Sequence, residues 1–70
     1  MTRNSVQSSN LSSVGYDSEN QILEIEFKKS GIYQYFKVPL NVYNGLMTAS
    51  SHGEYFNDYI KNNFAYNKIG

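Results

Sequence analysis

The stretch Phe27-Lys28-Lys29-Ser30-Gly31-Ile32-Tyr33-Gln34-Tyr35-Phe36-Lys37-Val38-Pro39 sets the architecture. Before it, Leu23, Ile25 and Phe27 alternate with Glu24, Glu26 and Lys28. A period of two means a strand with one buried and one wet face, which predicts a strand over residues 21–28. Lys29-Ser30-Gly31 reads as a hairpin turn, and residues 32–38 as the returning strand. Pro39 stops that strand because it has no N–H for a ladder.

Loop length then decides which way Tyr33 and Tyr35 point. A two-residue loop, Ser30-Gly31, pairs Ile25 with Phe36 and leaves both tyrosines on the open face. A three-residue loop, Lys29-Ser30-Gly31, pairs Phe27 with Tyr33 and Ile25 with Tyr35, so both join the core. A slip of one residue exchanges the faces. Two-residue turns want Asn-Gly, Asp-Gly or a leading Gly, whereas three-residue loops want Gly last, in the left-handed conformation. Gly31 occupies that place, which favours the three-residue loop. Val38 then has the wrong parity for the core and needs a bulge near Phe36-Lys37, or a strand that ends earlier.

Upstream, Leu11-Ser-Ser-Val14-Gly15-Tyr16-Asp17 reads as a weaker strand. Gly15 marks a bulge or a close backbone approach, and Asp17-Ser-Glu-Asn20 is a turn. Residues 1–10 are polar apart from Val6 and read as a flexible N-terminal tail. After Pro39 the period changes: Val42, Tyr43, Leu46 and Met47 recur at helical spacing. Ser51-His-Gly-Glu54 fits a capping box opening a second helix, with Tyr55, Phe56, Tyr59 and Ile60 as its apolar stripe. Lys61 suits that helix's C-terminal dipole. Residues 64–69 can be helical, extended or docked on the sheet. The expected fold is α+β: a three-stranded antiparallel β-meander followed by two short α-helices packed on one face, with residues 11–69 as one domain.

Composition narrows the function. Seventy residues hide only about 60% of their unfolded surface. The absence of cysteine removes disulfides and thiolate sites, and one histidine is too few for a typical zinc site. Packing must therefore hold the fold, and 16% aromatic residues supply bulky material for a short chain. Six acidic and six basic residues cancel, which argues against a strong non-specific nucleic-acid binder, though not against a local basic patch. No stretch approaches the roughly 20 apolar residues of a membrane span, nor the h-region of a signal peptide. A cytoplasmic protein without cofactors is expected.

The ordered set V-G-Y-D at 14–17, L-x-I-x-F at 23–27, Gly31, Y-x-Y at 33–35, V-P at 38–39 and S-x-G-x-Y-F-N at 51–57, with Ile60, resembles the KTSC domain. The resemblance covers residues 7–69. That family takes its name from the C-terminal end of certain lysyl-tRNA synthetases, and it also occurs in free-standing small bacterial and phage-related proteins. One departure is Phe64-Ala-Tyr66, where the family tends to show Tyr in both places. The family has no established function; RNA binding is suggested for it, and attachment to a tRNA enzyme equally implies a role in assembly.

Three functions compete. A protein-interaction module is favoured by the free edge of a small sheet and the excess of aromatics. RNA or other nucleic acid bound on the sheet would use Tyr33 and Tyr35 to stack bases and Lys28, Lys37 and Lys61 to meet phosphates. An enzyme is disfavoured: His52 stands alone beside a helix start, and Glu24/Glu26 and Asp17/Glu19 read as solvated charge. The motif residues Gly15, Tyr16, Gly31, Pro39, Ser51, Gly53, Tyr55, Phe56 and Asn57 are expected to be structural, Gly53 allowing a tight approach and Asn57 satisfying nearby backbone groups.

Overall fold

The computed structural model describes all residues, 1–70. Five strands form one antiparallel meander: β1 (Asn4–Ser5), β2 (Leu11–Asp17), β3 (Ile22–Phe27), β4 (Gly31–Tyr35) and β5 (Tyr66–Lys68), paired in that order. Between β4 and β5 lie α1 (Leu40–Thr48) and α2 (His52–Tyr55), the latter running directly into a π-turn (Phe56–Ile60). The α+β class and the two helices agree with the sequence reading. The strand count does not: the sheet has five strands rather than three. No helix is long and apolar enough to cross a membrane.

Both added strands come from segments without a periodic signal. β1 pairs Asn4 with Val14 and Ser5 with Ser13, so the stretch read as a tail contributes a sheet edge. β5 pairs Tyr35 with Tyr66 and Tyr33 with Lys68, which makes the C-terminal stretch an extended, docked edge. Strands of two and three residues cannot display a convincing period of two. They form because β2 and β4 would otherwise leave unpaired backbone groups.

The hairpin between β3 and β4 has a three-residue loop, but the loop is Lys28-Lys29-Ser30. Phe27 pairs with Gly31, Ile25 with Tyr33 and Leu23 with Tyr35. This register differs by two residues from the expected one and therefore keeps the same faces. Its cause lies outside the hairpin. Ile32 N–H donates to the Gly70 carbonyl at 3.3 Å, while Ile69 N–H donates to the Ile32 carbonyl at 2.8 Å. The C-terminal residues thus hold Gly31-Ile32 as strand. Gly31 has φ +101° and lies against the Gly70 carbonyl. Gly31→Ala is expected to cost about 1–2 kcal/mol for the left-handed backbone alone, read as a melting temperature lower by about 4–16 °C.

β4 ends at Tyr35, earlier than the expected strand to Val38. Lys37 adopts φ 58°, and this left-handed residue turns Val38 inward to full burial. Val38 N–H then donates to the Gln21 carbonyl at 2.9 Å. Pro39 therefore does not stop the strand, which has already ended. It opens α1 instead, its carbonyl accepting from Val42 N–H at 3.0 Å and Tyr43 N–H at 3.3 Å.

One face of the sheet packs on the helices. Leu11, Val14, Leu23, Ile25, Tyr35 and Val38 bury against Leu46, Phe56 and Ile60. Tyr16 stacks on Tyr43 of α1, with ring centroids 4.6 Å apart and planes within 8°. Its hydroxyl donates to the Val38 carbonyl at 2.5 Å. Burial, then the Asp17 charge, raises the Tyr16 pKa.

The opposite face carries a polar network rather than solvated charge. Glu24 is only 5% exposed, which corrects its reading as a wet strand residue. It accepts from Gln34 Nε2 at 2.8 Å and is ion-paired with Arg3. Arg3 Nε also donates to Ser13 Oγ, whose hydroxyl donates to Glu26 Oε1, both at 3.0 Å. Glu24 pairs across the ladder with Gly15 and Gln34. Gly15 is where the N-terminal segment closes over this face: a Cβ there would lie 2.6 Å from the Thr2 carbonyl oxygen. Gly15 thus serves a close approach, while the bulge of β2 falls between Leu11 and Ser13. Burial alone would raise the Glu24 pKa, but hydrogen bonds from Gln34 and Arg3, with the Arg3 charge, hold it below its ordinary value.

Candidate functional site

Residues two apart on a strand share a face, so Tyr33 and Tyr35 point the same way on β4. The ladder sets Tyr66 opposite Tyr35 and sets Ile25 and Leu23 opposite the pair. The start of the π-turn brings Phe56 over this surface. Tyr35 meets Phe56 edge-on at 5.4 Å and Tyr66 at 5.5 Å. Tyr33 meets Tyr66 at 5.9 Å and Phe27 edge-on at 5.6 Å.

These rings floor a cleft of about 340 Å³ between the sheet and the π-turn. They do not contribute equally. Tyr35 is 4% exposed and Phe56 is buried, so both are support. Tyr33 is half-buried and Tyr66 is 54% exposed, so these two present ring surface. The role anticipated for Tyr35 as a stacking ring is corrected accordingly. Burial, then the neighbouring phenols of Tyr33 and Tyr66, pushes its pKa up to about 12, which keeps it neutral.

Asn57, Lys61 and Asn62 form the helical wall, and Asn10 and Ser30 close the far end. A second depression continues past Asn10, Phe27 and Ser30 to Lys28 and Lys29. Lys68 reaches the same end: a Cβ on Gly31 would lie 3.1 Å from its Cε. No carboxylate lines either depression. The single ion pair of the molecule joins Arg3 to Glu24, so the lysines are free of carboxylate partners.

Of the anticipated contact residues, the structure brings together Tyr33, Tyr35 and Lys61, with Lys28 at the adjoining rim. Lys37 is not among them; it sits at the other end of β4 as an exposed left-handed turn residue. Tyr66, Lys29, Lys68, Asn10 and Asn62 join the site without any sequence signal that singled them out. Tyr66 enters through β5 pairing and Asn10 through β2, and neither neighbourhood is local in sequence.

The motif at 51–57 divides. Ser51 Oγ accepts from Glu54 N–H at 3.2 Å, which is one half of the capping box. Gly53 is buried, and a Cβ there would lie 2.5 Å from Asn10 Oδ1, so Gly53 permits a tight approach. Tyr55 lies against Gly45 and tilts over Tyr59, with centroids 4.6 Å apart. His52 Nδ1 lies 2.7 Å from the Leu46 carbonyl. A carbonyl only accepts, so the Nδ1–H donates and caps the end of α1. Asn57 departs from expectation: its amide satisfies no backbone group and instead lines the cleft, exposed.

The KTSC domain family profile matches residues 7–64. A relative from Stutzerimonas stutzeri is 48% identical over 61 residues, covering 87% of this chain and 86% of its own. A lysine–tRNA ligase from Trichormus variabilis is 44% identical over 54 residues, covering 77% of this chain but 10% of the ligase. The chain thus spans about a tenth of that relative's length. Among solved structures, a KTSC domain protein from Yersinia pestis superposes with a TM-score of 0.97 at 43% identity, over 99% of this chain and 97% of its own.

Proposed function

This chain belongs to the KTSC domain family, and we propose that it is a small non-catalytic module that binds single-stranded RNA in the aromatic cleft. The observation that carries the proposal is the pairing of exposed ring surface with unpaired cations. Tyr66 and Tyr33 offer stacking faces, while Lys61 on the wall and Lys28, Lys29 and Lys68 at the rim are opposed by no lining carboxylate. Stacking is worth about 1–3 kcal/mol per base. Zero net charge is compatible with this because none of the carboxylates lines the two depressions that the lysines flank. The likeness to part of an enzyme named for tRNA supports the same ligand class. A cytoplasmic location follows from that ligand and is part of the proposal. The capping role of His52 supports a non-catalytic reading.

The test is fluorescence anisotropy with labelled single-stranded RNA hexamers. Tyr66→Ala is expected to weaken binding about tenfold, since one stacking partner is lost. Tyr66 is exposed, so this variant stays folded, which buried Tyr35 would not allow. Lys61→Ala is expected to weaken binding a few-fold and to reduce the slope of log affinity against log salt by about 0.7. A folded Tyr66→Ala protein that binds RNA as the parent does would refute the proposal.

A protein partner is the second reading, favoured by one observation. β5 is an open edge, with Tyr66 and Ile69 both more than half exposed, and such edges accept strands. Recovery of a bound protein whose attachment is lost on deleting residues 66–70, together with no RNA affinity, would select it.

A further inference from the structure

Alternation along a strand governs its backbone as well as its side chains. In an antiparallel ladder successive residues direct their N–H and C=O groups to opposite sides. Phe36 N–H donates to the Ala65 carbonyl at 2.9 Å, and Ile69 N–H donates to the Ile32 carbonyl at 2.8 Å. Ala65 and Ile69 therefore face β4, and Asn67, in phase with both and opposite Gln34, does the same. Tyr66 and Lys68 must then turn their backbone groups outward, to the open edge of the sheet. Neither takes part in a backbone bond outside the ladder, and every residue of β5 is exposed.

An open edge invites another strand. We propose that β5 is where two copies of this chain join, antiparallel and edge to edge, in the register centred on Asn67. The phase of the backbone selects that register. Only an even shift sets outward groups against outward groups. Centring on Lys68 would oppose two lysines, which repel across a strand pair. Centring on Tyr66 would carry Lys68 of each copy past the end of the other's β5. Centring on Asn67 matches Tyr66 of each copy with Lys68 of the other and satisfies the N–H and C=O of both. Opposed residues share a face, so the Lys68 stem lies along the exposed Tyr66 ring of the other copy. The far edge of the sheet, β1, is only two residues long. A β5-to-β1 contact would also repeat without closing, whereas β5-to-β5 closes as a pair. The two-fold axis stands perpendicular to the sheet. The two aromatic clefts thus open on the same side and adjoin, each with a lysine of the other copy beside its Tyr66.

Association is read without any ligand, by sedimentation equilibrium of the full chain from about 10 μM to about 1 mM, the range of small, weak interfaces. The average mass is expected to climb from 8.0 kDa toward twice that value. Lys68→Pro deletes an outward N–H and spares the bonds to β4, because an edge strand tolerates proline where its N–H faces solvent. It is expected to weaken association about tenfold. Asn67→Lys sets like charges face to face at the two-fold axis, on the side of the sheet away from the cleft, and should weaken association a few-fold. Melting at about 10 μM, where the copies are apart, is the control for folding. If Lys68→Pro melts early, Asn67→Lys decides. The proposal is overturned if the parent stays at 8.0 kDa throughout, or if a folded variant of either kind associates as the parent does. RNA plays no part in this readout, so the outcome is independent of the RNA-binding reading.

Discussion

Tyr35→Ala is expected to leave the protein largely unfolded, whereas Tyr35→Phe is expected to be nearly silent. A 70-residue domain has about 4–10 kcal/mol of stability at the usual 0.05–0.15 kcal/mol per residue. Truncating a buried aromatic to alanine costs about 3–5 kcal/mol, because the cavity left behind closes only in part. Tyr35 touches the sheet, the π-turn and β5 together, through Phe56 at 5.4 Å and Tyr66 at 5.5 Å. Its loss therefore loosens three elements rather than one. Tyr35→Phe keeps every ring contact. The hydroxyl it removes is not a buried orphan, since no buried polar side-chain atom lacks a partner, so less than about 1 kcal/mol is at stake. Urea unfolding followed by circular dichroism measures both. A midpoint for Tyr35→Ala close to that of the parent would show that the aromatic cluster is not what holds the sheet to the helices.

Arg3→Met is the second large effect, and it carries a pH signature. The methionine keeps an apolar stem over Gly15 and removes the charge. Glu24, almost fully buried, then loses its ion pair and one hydrogen bond. Breaking a buried pair from one side costs about 3–5 kcal/mol. The Arg3 side chain is 27% exposed, so water softens the loss to about 2–3 kcal/mol at pH 7. Glu24 has a depressed pKa when folded. Its charge thus contributes stability that is fully present above the ordinary value of 4.5 and is lost as the pH falls through the lower folded value. Once Glu24 is protonated it no longer needs Arg3. The gap between parent and variant should therefore be widest at pH 7 and shrink as the pH falls below 4.5 through the lowered folded value. Asp17, held low by its hydrogen bonds from Asn20, adds acid sensitivity to both proteins and cancels in the difference. Equal gaps in urea midpoint at pH 7 and pH 3 would show that the pair does not act through its charge.

These two side chains mark the limits of the sequence in opposite ways. Tyr35 reaches its expected face by parity alone: the loop is Lys28-Lys29-Ser30 rather than one ending on Gly31, and a register error of two residues does not alter the faces. Glu24 was misread by the same rule, because alternation reports which face a residue takes and not what later covers that face. The cover is Met1-Thr2-Arg3, more than ten residues away, and it fits because Gly15 has no side chain. The candidate site divides similarly. Tyr33, Lys61 and Lys28 were visible as residue types on predicted elements. Tyr66, Lys68 and Asn10 reach the cleft through strand pairings and a tight approach that no local pattern announces, whereas Asn57 lies four residues before Lys61 and shares its helical face.

Residue order along the chain was enough to establish the α+β class, the β2–β3–β4 meander, the two helices and the family. All of these follow from periods, turn chemistry and caps that act over a few residues. The edge strands β1 and β5, the hairpin register, the burial of Glu24 and the membership of the cleft were settled in three dimensions. Each depends on which distant segment meets an open ladder or a missing side chain, and that encounter is governed by backbone hydrogen bonds, which leave little imprint on residue type.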